Sequence, residues 1–264
     1  MLLGLGASLV LQGATSGSDA AAPLAAFAPT GTASVGHEQF DALLQRYVKP
    51  DTQGYNRVDY RSFHGSGRGE LSSYIAELVS RNPVVLSANE AHAYWINLYN
   101  AKTLDVVLER YPVTSIKAID LGGGGFFKGG PWSKKIVTVN GTDLSLDDIE
   151  HRIVRSLFAD SLSHYGLNCA SYSCPNLAVR AYTGDNLTAL LKQGAREYVN
   201  HSRGITISGD GMTVSKIYSW YADDFGGKKR LKAHWKAFAT PELGRRIDTA
   251  EIAGYSYDWS LNDV

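Results

Sequence analysis

Little in this chain announces a chemistry. Only two of its 264 residues are cysteines, which excludes a disulfide-rich mini-protein. No stretch approaches the roughly 20 apolar residues of a membrane-spanning helix, so no integral membrane association is expected. Neither sign of charge is in excess, with 26 Lys and Arg against 26 Asp and Glu. That balance offers no basic field to nucleic acid or anionic lipid, and there is no acidic tail. Signature motifs are missing too: no His-Glu-x-x-His, no Gly-x-Ser-x-Gly and no calcium loop occurs. The run Gly122 to Gly125 lacks a Gly-Lys-Ser/Thr ending and a following helix. It reads as a flap beside a pocket, with Trp132 as its anchor. No cofactor is expected on these grounds, and the ligand left standing is a small molecule or peptide.

What is present is globular: 44% of the residues are hydrophobic and 20% charged. Residues 1–36 differ from the rest, with Asp19 as their only charged side chain. The apolar run from Leu2 to Leu11 has the length of a signal-peptide core, and small residues at Ala20, Ala21 and Ala22 follow it. No Lys or Arg precedes the run, so the n-region is atypical and a low-complexity tail is the competing reading. Export would place the chain in the periplasm or outside a bacterial cell. From residue 37 to 264 the composition is uniform, without linker or repeat, which reads as one domain.

Phe40, Leu43, Leu44 and Tyr47 have helical spacing, as do Leu71, Ile75, Leu78 and Val79. Ser87-Ala-Asn-Glu90 reads as a capping box opening a helix from Ala88 to Arg110. Lys135 to Val139 reads as a strand before an Asn140-Gly141 turn, and Ser145 with Asp148 opens a helix from Leu146 to Phe158. A hairpin is expected around Ser208-Gly-Asp-Gly211, and a packed turn or short helix over Lys216 to Asp224. Helices mixed with short strands, without βαβ alternation, argue for an α+β fold: several helices on a small, mostly antiparallel sheet.

Three features carry possible chemistry. On the helix from Ala88, Asn97 and Asn100 share a stripe with Ala93, Ala101, Leu104 and Leu108, while Trp95, Tyr99 and Val106 cover the other side. Two amides on so apolar a helix need partners, either in a structural network or as the wall of an active site. On the helix from Leu146, Glu150 falls inside the apolar arc of Leu146, Ile149, Ile153, Val154 and Leu157. His151 sits at its edge, and Arg152 and Arg155 point away. A carboxylate there is either paired or raised in pKa. The third feature is His164-Tyr-Gly-Leu-Asn-Cys169-Ala-Ser-Tyr-Ser-Cys174-Pro175. Three readings stay open for it: a Cys169–Cys174 disulfide, a nucleophilic Cys174 or Cys169 served by His151 or His164, and a zinc site using both thiols with a histidine. With Pro175 at the first helical position, Cys174 would be an N-cap and its thiolate favoured. Asn97, Asn100 or Glu150 would then orient the base or stabilise an oxyanion, and Tyr99, Ser171 and Trp220 would touch the ligand.

The segments Tyr94-Trp-Ile-Asn97-Leu-Tyr99-Asn100-Ala101, Leu144-Ser-Leu-Asp-Asp-Ile-Glu150-His151 and His164 through Pro175 resemble the domain of unknown function 547 family. So do Val214 through Trp220 to Phe225 and the closing Tyr257-Asp-Trp259-Ser-Leu-Asn262. The resemblance implies bacterial members that often follow signal peptides. It also implies a distant relation to papain- or transglutaminase-like cysteine enzymes. In those enzymes the nucleophile opens an early buried helix, whereas here that helix carries Asn97 and Asn100. The expected site is a polar cleft for cysteine-dependent acyl transfer or hydrolysis of an amide or thioester. A non-catalytic binding module held by a disulfide is the alternative, and thiol–disulfide exchange is a third, without Cys-x-x-Cys spacing.

Overall fold

Apolar side chains at helical spacing bury as that spacing requires. Phe40, Leu43, Leu44 and Tyr47 line the inner face of α1 (Glu38–Tyr47) in this computed structural model, which describes residues 24–122 and 130–264. An antiparallel pair, β1 (Val48–Pro50) and β2 (Asn56–Val58), leads into α2 (Tyr60–Ser66) and α3 (Arg68–Ser80). Then comes the central α4 (Ala88–Arg110), buried at every position from Glu90 to Ala101. A helix buried on all sides takes its stability from neighbours rather than from propensity.

The expected caps form in part. The Ser87 hydroxyl accepts from the Glu90 N–H at 3.4 Å, but Ser87 N–H itself donates to Ala33 O. Glu90 turns away from the helix end, accepts from Gly184 N–H at 2.8 Å and lies 3.5 Å from His37. The capping box is therefore half made, because a tertiary donor takes the carboxylate.

β3 (Val137–Val139) and β4 (Thr142–Leu144) pair across Asn140 and Gly141, whose φ values of 48° and 74° meet the positive-φ demand of a tight hairpin turn. The next helix, Asp148–Phe158, is a π-helix rather than an α-helix. After α5 (Leu187–Val199), the strands β5 (Ile205–Ser208) and β6 (Gly211–Ser215) make the expected hairpin. The short α6 (Ile217–Trp220), α7 (Leu231–Lys236) and α8 (Pro241–Thr249) follow. β7 (Glu251–Ser256) then joins β6 in parallel, so this sheet is mixed while the two hairpins are antiparallel. The chain is a single α+β domain, and a papain-like arrangement is not confirmed.

The packed chain begins before residue 37. Phe27 is buried edge-on against Trp95 at 5.0 Å, Leu24 N–H donates to Arg152 O, and Ala33 bridges Leu86. The change in composition at residue 37 gives no sign of this apolar anchor. The Leu2–Leu11 run and most of the glycine-rich flap lie outside the described residues. Trp132, the flap's expected anchor, is buried with its ring 5.5 Å from Trp259.

Asn97 belongs to the framework. Its Nδ2 donates to Tyr182 O at 2.7 Å and its Oδ1 accepts from Tyr182 N–H at 3.0 Å, so the carboxamide replaces a strand partner for the backbone of one buried residue. Asn97→Ala is expected to leave both Tyr182 groups unpaired and cost about 2–4 kcal/mol. Urea unfolding monitored by circular dichroism reads the loss, and an unchanged midpoint would refute the assignment.

Candidate active site

The cysteine segment hangs from the buried helix by one carboxamide. Asn100 Nδ2 donates to Gly166 O at 2.8 Å, and its Oδ1 accepts from Asn168 N–H at 2.8 Å. Asn168 extends the tie, donating to Pro175 O at 2.7 Å and accepting from Ala170 N–H at 3.0 Å. On the other side the C-terminal segment is laced to the loop. Tyr172 N–H donates to Ser260 O, Ser173 N–H to Asp258 O, and Asn262 N–H to Ala170 O. Between these supports Ala170 has a φ of 61°, a left-handed conformation that non-glycine residues adopt only when their surroundings dictate it. No helix follows Pro175. The Cys174 N–H donates to Ser171 O within a turn, so Cys174 is not an N-cap and owes nothing to a helix dipole.

Both cysteines are free, with their sulfurs 2.9 Å apart; the expected disulfide is not formed. The two thiols are not equivalent. Cys169 is half-buried, and its sulfur lies 3.2 Å from the Ser171 hydroxyl and 3.2 Å from Tyr257 OH, which are themselves 2.8 Å apart. Burial would raise its pKa, but hydrogen bonds from Cys174, Ser171 and Tyr257 outweigh it and hold the Cys169 thiol below its ordinary value. Burial pushes Cys174 well above its ordinary value, and its contact with Cys169 pushes the same way. Of the two thiols, Cys169 is therefore the one whose ionisation the surroundings favour, with the Cys174 sulfur among its hydrogen-bond partners. The N-cap argument had favoured the other sulfur.

Beside the thiols lies an acid–base chain. His164 Nε2 meets Asp224 Oδ2 at 2.7 Å. Arg155 clamps the same carboxylate with two bonds, Nε at 2.6 Å and Nη2 at 3.0 Å, while lying 4.6 Å over the Tyr221 ring. Burial opposes ionisation of Asp224, but the bonds from His164 and Arg155 prevail and keep it far below the usual carboxylate range. Glu150 is buried near His151 and His164 and is bonded by the hydroxyls of Tyr221 and Tyr99. These outweigh its burial and lower its pKa, so it is the paired carboxylate of the two alternatives.

The π-helix explains why Arg155 joins this chain. At about 100° per residue, Arg155 would lie about 140° round from Glu150 and face away. In a π-helix, hydrogen bonds close from i to i+5, so residues five apart share a face. Arg155 thereby faces the same way as Glu150, and also bonds His151 Nδ1 at 3.1 Å.

One narrow pocket, with space for water-sized molecules of about 30 Å³, is bounded by Tyr99, Glu150, His164, Cys169, Cys174 and Trp220. Six of the expected site residues thus converge. Ser171 supports them through Cys169 and Tyr257. His151 stands outside the lining but reaches Glu150 at 3.9 Å. Asn97 is bound to Tyr182, and Asn100 holds the loop backbone, so neither orients a histidine or meets an oxyanion. Tyr221, Tyr257 and Trp259 also line the pocket, with Leu167, Pro175 and Ile217; the three aromatics, with Asp224 and Asn168, escaped sequence reasoning as individual residues, and Arg155 was placed facing away. Among the described residues no three or more His, Cys, Asp or Glu side chains come together as metal ligands, so the zinc set is not assembled. Among the same residues no helix is long and apolar enough to cross a membrane.

Residues 83–199 match the family model described as protein of unknown function, DUF547. That matched segment carries both thiols, His164 and Glu150. No curated protein and no solved structure gave a match.

Iodoacetamide is expected to modify Cys169 in preference to Cys174, with a rate midpoint below the roughly 8.5 of a free thiol. Peptide mapping across pH reads both; preferential labelling of Cys174 would reverse the assignment. A depressed folded pKa at Asp224 means the unfolded chain binds its proton more readily. The stability it contributes is therefore full above about pH 4 and is lost as pH falls further. Asp224→Asn is expected to lower unfolding stability by about 2 kcal/mol at neutral pH, with the gap from wild type narrowing below pH 4. Denaturation at several pH values checks this.

Proposed function

We propose that the pocket performs cysteine-dependent acyl transfer or hydrolysis on amide or thioester bonds, with Cys169 as nucleophile and His164 as base. The observation behind this reading is that a thiol held below its ordinary pKa shares a narrow pocket with a histidine whose Nε2 is fixed on a carboxylate at 2.7 Å. The thiolate sulfur attacks the carbonyl carbon. Collapse of the tetrahedral intermediate expels the amine or thiol, and His164 carries the proton it needs. Asp224, clamped by Arg155, keeps the imidazole in one orientation. Tyr257 and Ser171, which steady the resting sulfur, are the nearest hydroxyl donors for the carbonyl oxygen.

The test uses p-nitrophenyl acetate. A burst of nitrophenolate with an acetyl adduct on Cys169 in the intact mass is expected. Cys169→Ser is expected to lower the rate at least 100-fold, and Asp224→Asn to lower it while the fold persists. Absence of both burst and adduct would remove the catalytic reading and leave a non-catalytic binding module.

The 2.9 Å between the sulfurs favours a second reading, thiol–disulfide exchange. Here Cys169 thiolate attacks a substrate disulfide, one substrate thiolate leaves, and Cys174 resolves the mixed disulfide. Cys174→Ser separates the two: acylation of Cys169 survives it, whereas exchange stops at a trapped adduct. The Leu2–Leu11 run further supports placement in the periplasm or outside the cell, which N-terminal sequencing of the mature protein tests.

A further inference from the structure

We infer that His92 and His234 are positioning residues for His164: each grips a side chain next to it, and together they fix the short turn on which the proposed base stands. This rests on the acyl-transfer reading and adds what holds its base in place. His164 lies on a short 3₁₀ helix, Ser161–Tyr165. So short a helix has little stability of its own, and its neighbours must set its place.

A 3₁₀ helix has three residues per turn, so the side chains of Ser163, His164 and Tyr165 leave it about 120° apart. Each ends on a different part of the chain. The Ser163 hydroxyl lies 2.8 Å from His92 Nε2 on α4. His164 Nε2 reaches Asp224 at 2.7 Å. The Tyr165 hydroxyl lies 2.7 Å from His234 Nε2 on α7 and 3.2 Å from Tyr218 OH. Both outer imidazoles are themselves immobilised. His92 is buried and stacks on Phe158 with ring centroids 4.3 Å apart. His234 lies parallel to the Tyr165 ring and packs on Phe225 at 4.7 Å. The turn is thus held at three points, and rolling it about its axis breaks at least one of them.

Neither outer histidine lines the pocket. Burial pushes both imidazoles down to about 4. Asp160 faces both and pulls the other way, while His164 pushes His234 further down. Both are therefore neutral at neutral pH, and each pairs with a hydroxyl rather than a carboxylate. Asp224 is ionised and only accepts, so the hydrogen of that pair sits on His164 Nε2 and Nδ1 is the nitrogen left for proton transfer.

The test runs on the full chain. His92→Leu and His234→Leu each cut one grip, whereas His92→Gln and His234→Gln keep an amide that can reach the hydroxyl. Ser163→Ala and Tyr165→Phe cut the same bonds from the other end and replace any leucine variant that fails to fold. Three readouts are compared. The Nε2 proton of His164, identified in heteronuclear NMR spectra by its loss in His164→Gln, reports the place of the base without turnover. Alkylation of Cys169 by iodoacetamide reports the thiol, whose donors are Cys174, Ser171 and Tyr257. Acetyl transfer from p-nitrophenyl acetate needs both groups. The leucine variants are expected to broaden or lose the His164 signal and to slow acetyl transfer about tenfold or more, with Cys169 alkylation unchanged. The glutamine variants are expected to recover most of both. An unchanged His164 signal in the leucine variants, an equal fall in alkylation and transfer, or leucine and glutamine variants that behave alike would each overturn the inference. Loss of the His164 signal in the leucine variants of a protein that forms no acetyl adduct even as wild type would uphold the positioning and overturn the acyl-transfer reading instead.

Discussion

The site depends on one buried carboxamide. Asn100 bonds Gly166 O and Asn168 N–H at once, so the peptide between His164 and Cys169 is held at a fixed height over the central helix. Position 100 suits this because its neighbours on that face are apolar and fully enclosed. In such surroundings an amide with both ends satisfied is stabilising, and one with either end free costs on the order of 1–3 kcal/mol. Loop backbone and helix side chain therefore specify each other. The C-terminal segment closes the arrangement from the far side, and between the two supports Ala170 adopts a φ that an unsupported alanine would abandon.

This rigidity matters because the site crowds charge into low-dielectric surroundings. A buried carboxylate is tolerated only when donors replace its hydration. Glu150 has two phenols and neighbouring histidines, and Asp224 has His164 and the forked guanidinium of Arg155. These groups form one continuous chain from Tyr99 to Arg155. Moving any member leaves another without compensation, so the cost of disrupting one bond exceeds that bond's own worth. The histidine that shares the pocket with the thiols is held by a carboxylate that is itself held, which limits the ring's freedom to swing away.

How much of this could be read in the sequence follows from which partners are local. Glu150 and Asn100 stood out because a polar residue on an apolar helical face requires an explanation, and both are buried and paired. Asn97 stood out for the same reason, but its partner Tyr182 lies 85 residues away, and periodicity cannot distinguish a backbone tie from a catalytic role. Asp224 carried no local signal. It sits in an aromatic turn whose relation to His164 and Arg155 exists only after the chain closes loops of 60 and 69 residues. Arg155 was assigned to the wrong face because a period of 3.6 was assumed where the helix is π. The hairpin at Asn140-Gly141 and the span of the buried helix were legible because turn chemistry and capping are short-range.

The N-cap argument for Cys174 does not hold, for a related reason. It rested on a helix expected after Pro175, and the segment instead turns back on itself. What differentiates the two sulfurs is depth and the count of donors. Cys174 is enclosed, and burial together with its contact with the Cys169 side chain keeps its proton in place although its sulfur accepts the Cys169 N–H. Cys169 is less enclosed and gathers hydroxyls from Ser171 and from Tyr257, which arrives with the C-terminal segment. The proton-bearing sulfur thus stabilises the ionised one, an asymmetry that neither cysteine would have alone. Acyl chemistry and disulfide exchange both begin from that state. They part at the second sulfur, which in one case only donates a proton's share and in the other becomes a nucleophile itself.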